Sequence, residues 1–144
     1  MTPEELVAAI LLAEGANQGP EGMEFIADTM FERSLKRKLS LEKVANQSSV
    51  NKKGVRVYQY TGAGRPDLQA FAAKQPEILR SLALEIAKER MNPQYQPKYP
   101  GIENYVTQDF WNNRGDLNHD HWVNAMEPAV TVGSHVGLKP KNKP

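Results

Sequence analysis

Glu14 closes an apolar run, AILLAEG, and stands one helical turn past Ile10 and Leu11. At that spacing a helix turns the carboxyl toward the side it buries. The residue also falls at the helix C-terminus, where backbone carbonyls present partial negative charge. Burial and that dipole both favour a protonated carboxyl over a carboxylate. A carboxylic acid held in that form is a general acid, and glycosidic bond cleavage needs one to protonate the leaving oxygen. The plainer alternative is a helix that ends on an acid at the edge of its stripe, with the carboxylate in solvent. From residue type and spacing alone, both stand.

Other groups could join it. Glu21, Asp109 and Asp116 are candidates for a second carboxylate, although Glu21 also suits the N-terminus of a following helix. His119, Asp120 and His121 are metal-competent types, and His135 could add a ligand. A closed structural zinc site is disfavoured in a chain with no cysteine. Asp116, Asn118, Asp120 and Glu127 have the spacing of a calcium loop, but His121 stands where such a loop needs Gly. A solvated loop is therefore expected at NHDH, with no metal and no other cofactor. Tyr95, Tyr99, Tyr105, Trp111 and Trp122 crowd the C-terminal half. Their faces suit either sugar rings or a core.

The elements that must position these residues are mostly helical. Thr2, Pro3 and Glu5 form a capping box with proline at the first helical position. Val7, Ile10, Leu11 and Glu14 then share one face, and Gly15 is the expected stop. A second helix starts near Pro20, carries Met23, Ile26, Ala27, Met30 and Phe31 inward, and ends among Lys36, Arg37 and Lys38. A short helix follows Ser40. VRVYQY between Gly-containing turns reads as a strand or hairpin. Two more helices follow, the second with Leu79, Leu82, Ala83, Ile86 and Ala87 as its core stripe. Residues 92–101 read as an ordered surface loop, and a strand is expected on each side of Gly133. The class is α+β, a mostly helical single domain with a small β hairpin or sheet.

Composition narrows the function classes. The 144 residues fit one domain, and 40% hydrophobic with 24% charged residues is globular. A net charge of +1 argues neither for nor against a polyanion partner, but a duplex nucleic-acid binder usually shows a clear basic stripe, and no nucleic-acid partner is expected. The run LVAAILLA is too short to span a bilayer, and Glu4 and Glu5 precede it where an export signal carries cations. Neither export nor stable membrane insertion is expected.

The order of the pieces resembles the spore-cortex-lytic, or cell-wall hydrolase, family. Ala13-Glu14, Gly22 and Arg33 fall in register with that family's Ala-Glu-Ala-Arg, loop-closing Gly and Asn-Arg. Gln59-Tyr60-Thr61 resembles its Gln-Phe-Ser element, and Val132-Gly133-Ser134-His135 its Ile-Gly-Asn-His element. The chain departs from the pattern at Gly15-Ala16, Gln18, Glu32 and Ser134, and Gly137-Leu138 replaces the aromatic residues that follow the His. The resemblance implies a lysozyme-like fold over residues 1–138, with 139–144 a flexible basic tail. It implies cleavage of peptidoglycan between N-acetylmuramic acid and N-acetylglucosamine, as a lytic transglycosylase or muramidase. Glu14 would be the acid/base, with Gln59, Tyr60, Thr61 and His135 lining the cleft and Tyr105 and Trp111 as sugar contacts. The partner would be the glycan strand, met by a monomer. Such a chain would be made in the cytoplasm and act on the cell wall, as a phage endolysin does in an infected host. The competing expectations are a metal-dependent amidase or peptidase using His119, His121 and His135, and a non-catalytic wall-binding module.

Overall fold

The computed structural model describes residues 1–141. Its first helix, α1 (Pro3–Gly15), is the axis of the molecule. Thr2 accepts from the Glu5 backbone N–H while the Glu5 side chain accepts from Thr2, the capping box expected there. Four more helices surround α1: α2 (Gly19–Arg37), α3 (Leu41–Ala45), α4 (Leu68–Ala73) and α5 (Glu77–Arg90). Ser40 caps α3 through the Lys43 N–H. Because neighbours pack on all sides, Val7 to Leu12 are all buried, not only the predicted face of Val7, Ile10 and Leu11. A helix apolar all round belongs at the centre of a core.

Two small antiparallel sheets complete the α+β domain. Strands β1 (Ser48–Val50) and β2 (Arg56–Tyr58) form the expected hairpin. The other sheet has the order β3-β5-β4, from β3 (Asn104–Thr107), β4 (Met126–Val132) and β5 (His135–Pro140). Strands β4 and β5 flank Gly133, which turns the chain at φ +58°. The tail begins later than expected. Lys139 and Pro140 end β5, and the Lys141 N–H donates to the Ala125 carbonyl. Residues 142–144, the rest of the expected tail, lie outside the described residues.

α1 ends at Gly15, the expected stop, though not through a left-handed cap. The Gly15 φ is −130°, and a 3-10 turn, Ala16–Gln18, continues the chain. A Cβ at Gly15 would lie 3.1 Å from Ile26 Cδ1 and 3.3 Å from Met23 Cα. The glycine lets α2 fold back closely against the end of α1. The left-handed residue of the break is Gly19, at φ +76°. Among the described residues, no helix is long and apolar enough to cross a membrane.

Candidate functional site

Glu14 ends α1 half-buried. Its Oε1 accepts from the Gly62 backbone N–H at 2.9 Å and from the Thr61 hydroxyl at 3.2 Å. Both donors come from the 3-10 turn Thr61–Gly64 that follows β2. That turn reaches Glu14 because residue 62 has no side chain. A Cβ there would lie 2.6 Å from Ala13 Cβ. Among the described residues Oε2 makes no hydrogen bond, so one oxygen is clamped and the other is left for a ligand.

Two aromatic residues and a histidine close the inner side. The Tyr105 and His135 rings meet edge to face at 5.0 Å, and Phe25 packs on both. The charge of Glu14 acts on Tyr60, Tyr105 and His135, so the four form one electrostatic neighbourhood. Burial pushes the Tyr60 phenol up to about 12, and its hydroxyl shares a 2.9 Å hydrogen bond with Thr29. Burial also raises Tyr105 well above the ordinary tyrosine range, so both phenols stay neutral near neutral pH. Burial holds the His135 imidazole below its ordinary range, partly offset by Glu14. Its buried Nδ1 has no hydrogen-bond partner among the described residues. On the outer side, Glu14 lines an open hollow of about 530 Å³ with Ala13, Phe71, Gln75 and Leu79.

Gln18 and Ser134 are far apart in sequence, and the structure joins them. The Gln18 Oε1 accepts from both the backbone N–H and the hydroxyl of Ser134, each at 3.0 Å. This bridge ties the turn before His135 to the segment just after Glu14. Arg33 is buried, with Nε on the Glu103 carbonyl at 2.8 Å and Nη2 on Asn104 Oδ1 at 2.7 Å. It braces Glu103 and Asn104, the two residues just before Tyr105, at the start of β3.

The predicted site residues therefore divide. Glu14, Thr61, Tyr105 and His135 come together. Tyr60 joins them from beneath, but at 1% exposure it is a floor and offers no face to a sugar. Gln59 is exposed and lines a separate hollow between α2 and the hairpin. Trp111 sits on α6 (Gln108–Asn112) and packs against a small second core of Val123, Met126, Val136 and Leu138. The Arg114 guanidinium covers its ring at 3.9 Å, so this tryptophan anchors its own region rather than the Glu14 cleft. Trp122 is the exposed one, at 48%. Glu21, Asp109 and Asp116 are exposed, and no hydrogen bond links any of them to Glu14. The His121 Nδ1 accepts from the Val123 N–H. Among the described residues no three His, Asp or Glu side chains gather as a metal site.

Three contributors escaped the sequence argument: the Gly62 N–H, the Gln18–Ser134 bridge and the hollow flanked by Arg33. Gly62 directly follows the Gln59-Tyr60-Thr61 element, and Gln18 and Ser134 stood out singly, but nothing in the sequence joined those two. Compared with protein-family models, with curated proteins and with solved structures, the chain matches none of them.

Proposed function

We propose that the protein cleaves the glycan strand of peptidoglycan at the bond between N-acetylmuramic acid and N-acetylglucosamine, with Glu14 as its single acid/base. The observation that carries this reading is the half-furnished carboxyl. One oxygen of Glu14 is held by Gly62 and Thr61, the other is unpartnered among the described residues, and the charge of the carboxyl acts on Tyr105 and His135. The resemblance over Ala13-Glu14, Gln59-Tyr60-Thr61 and Gly133-Ser134-His135 supports the substrate class.

Protonated Glu14 gives its proton to the bridging oxygen as the bond to the muramyl C1 breaks. The carboxylate left behind then takes a proton from the attacking hydroxyl. In a lytic transglycosylase that hydroxyl is the muramyl C6 group, and the product carries a 1,6-anhydro end. In a muramidase it belongs to water, and the product carries a reducing end. The transglycosylase route needs no second carboxylate, which agrees with the exposed, unconnected positions of Glu21, Asp109 and Asp116.

The test is digestion of purified peptidoglycan followed by mass spectrometry of the soluble products. Anhydro-muropeptides are expected. Reducing ends would reassign the step to hydrolysis by water, and release of peptides from intact glycan would overturn glycan cleavage.

A further inference from the structure

A second hollow of about 250 Å³ lies between the C-terminal half of α2 and the β1–β2 hairpin. Arg33 and Arg37 line it with the polar side chains Gln47, Ser48 and Gln59, and among the described residues no carboxylate does. Arg33 is clamped by Glu103 and Asn104, yet its Nη1 makes no hydrogen bond and is not sealed from solvent among the described residues. A guanidinium fixed in this way presents its remaining nitrogen with little further loss of freedom. Arg37 gives Nη1 to Glu103 Oε1 at 2.8 Å, which leaves its Nε and Nη2 available. Glu103 also takes Lys36, so two cations share its carboxylate at the rim while Arg33 holds its backbone carbonyl. Arg33 and Arg37 act on each other as like charges, and an anion between them relieves that repulsion. Arg56 adds a further cation nearby, with Nη1 on Ser48 Oγ at 2.7 Å.

The hollow is close to Glu14 along the chain. Gln59 precedes by two residues Thr61, whose hydroxyl donates to Glu14. At roughly 3.3 Å per residue, the Gln59 and Thr61 backbones are at most about 7 Å apart. That is a suitable place for a substituent of the sugar whose bond is cut.

We propose that this hollow binds a carboxylate of the peptide carried by the muramyl sugar, so that the enzyme selects peptide-bearing over bare glycan strands. The inference rests on the reading of Glu14 as a glycan-cleaving acid. A carboxylate is planar and matches the guanidinium fork, while the Gln47 and Gln59 amides and the Ser48 hydroxyl supply further hydrogen-bonding groups. A phosphate group would use the same donors, so the test separates the two oxyanions.

The probe is a muramyl peptide with free carboxylates, titrated into nitrogen-15-labelled Glu14→Gln protein. The Nε–H signals of Arg33 and Arg37 and the Gln59 side-chain amide are expected to shift. Esterifying the carboxylates should weaken binding roughly tenfold or more, as loss of a hydrogen bond to a charged group does. Arg37→Gln should weaken it similarly. Inorganic phosphate should bind more weakly than the peptide. The proposal is overturned if the ester binds as tightly, if shifts miss these three residues, or if phosphate binds more tightly. Binding is read on a variant without the acid, so the two readings fail separately. A muramyl peptide seated here on a protein that cuts no glycan would sink only the proposed activity. Cleavage that ignores the peptide, with no binding here, would sink only this inference.

Discussion

Asp28 and Glu14 are both acids set into core helices, and their surroundings differ. Asp28 is fully buried in the middle of α2. Its Oδ1 accepts from Arg90 Nε at 3.1 Å and from the Tyr95 hydroxyl at 2.6 Å. Its Oδ2 accepts from the backbone N–H groups of Lys98 and Tyr99, at 2.8 and 2.9 Å. Both oxygens are filled, and they staple the loop after α5 to α2. Glu14 is half-buried, with two donors on one oxygen and, among the described residues, none on the other. A carboxylate whose capacity is spent inside the fold can only hold the fold together. One with an oxygen to spare at the edge of a cavity can exchange a proton with something that enters.

Variants can break or sharpen this contrast. The largest effect on stability should come from Asp28→Ala. It strands the buried Arg90 guanidinium and two backbone donors, and costs about 3–5 kcal/mol. A thermal melt should fall by on the order of 10 °C; an unchanged melt would show that a filled carboxylate need not be structural. Gly62→Ala comes next. Its new Cβ meets Ala13 at 2.6 Å, which pushes the turn off α1. Overpacking of this kind costs about 1–3 kcal/mol, and the loss of activity should exceed what the loss of folded protein explains. Thr61→Val removes the longer of the two clamps and should slow turnover by roughly tenfold or less, with little change in melting.

The smallest effect is the pH dependence set by His135. Burial keeps its folded value below the ordinary one, so across that window the unfolded chain binds more protons. Stability from this group is intact above about pH 6.5 and declines as the pH falls below it. Denaturation midpoints along that range should fall less steeply in His135→Gln. An equal slope would remove His135 as the source.

Local chemistry made much of this legible in advance. The capping box of Thr2 and Glu5, the Ser40 cap, the stripe of α2 and the hairpin around VRVYQY all depend on residues a few positions apart. The position of Glu14 on the buried end of α1 followed from the same periodicity. What stayed hidden depends on distant partners. Gln18 finds Ser134 across 116 positions, and Asp28 finds its donors between 62 and 71 positions away. Trp111 misled because an aromatic residue in a polar stretch suits a binding wall, and nothing local shows that Arg114 and a second small core enclose it. Gly15 was legible as the end of α1, while the space it leaves against Met23 and Ile26 was not.

The most direct measurement is turnover of purified peptidoglycan by Glu14→Gln, taken together with its thermal melt. The amide keeps an acceptor for the Gly62 and Thr61 donors but cannot give up a proton as the acid does. Turnover should fall by about 10²–10⁴-fold or more, with a melting temperature close to the parent protein's. Retained turnover, or a melt that collapses as Asp28→Ala should, would contradict Glu14 as the acid/base.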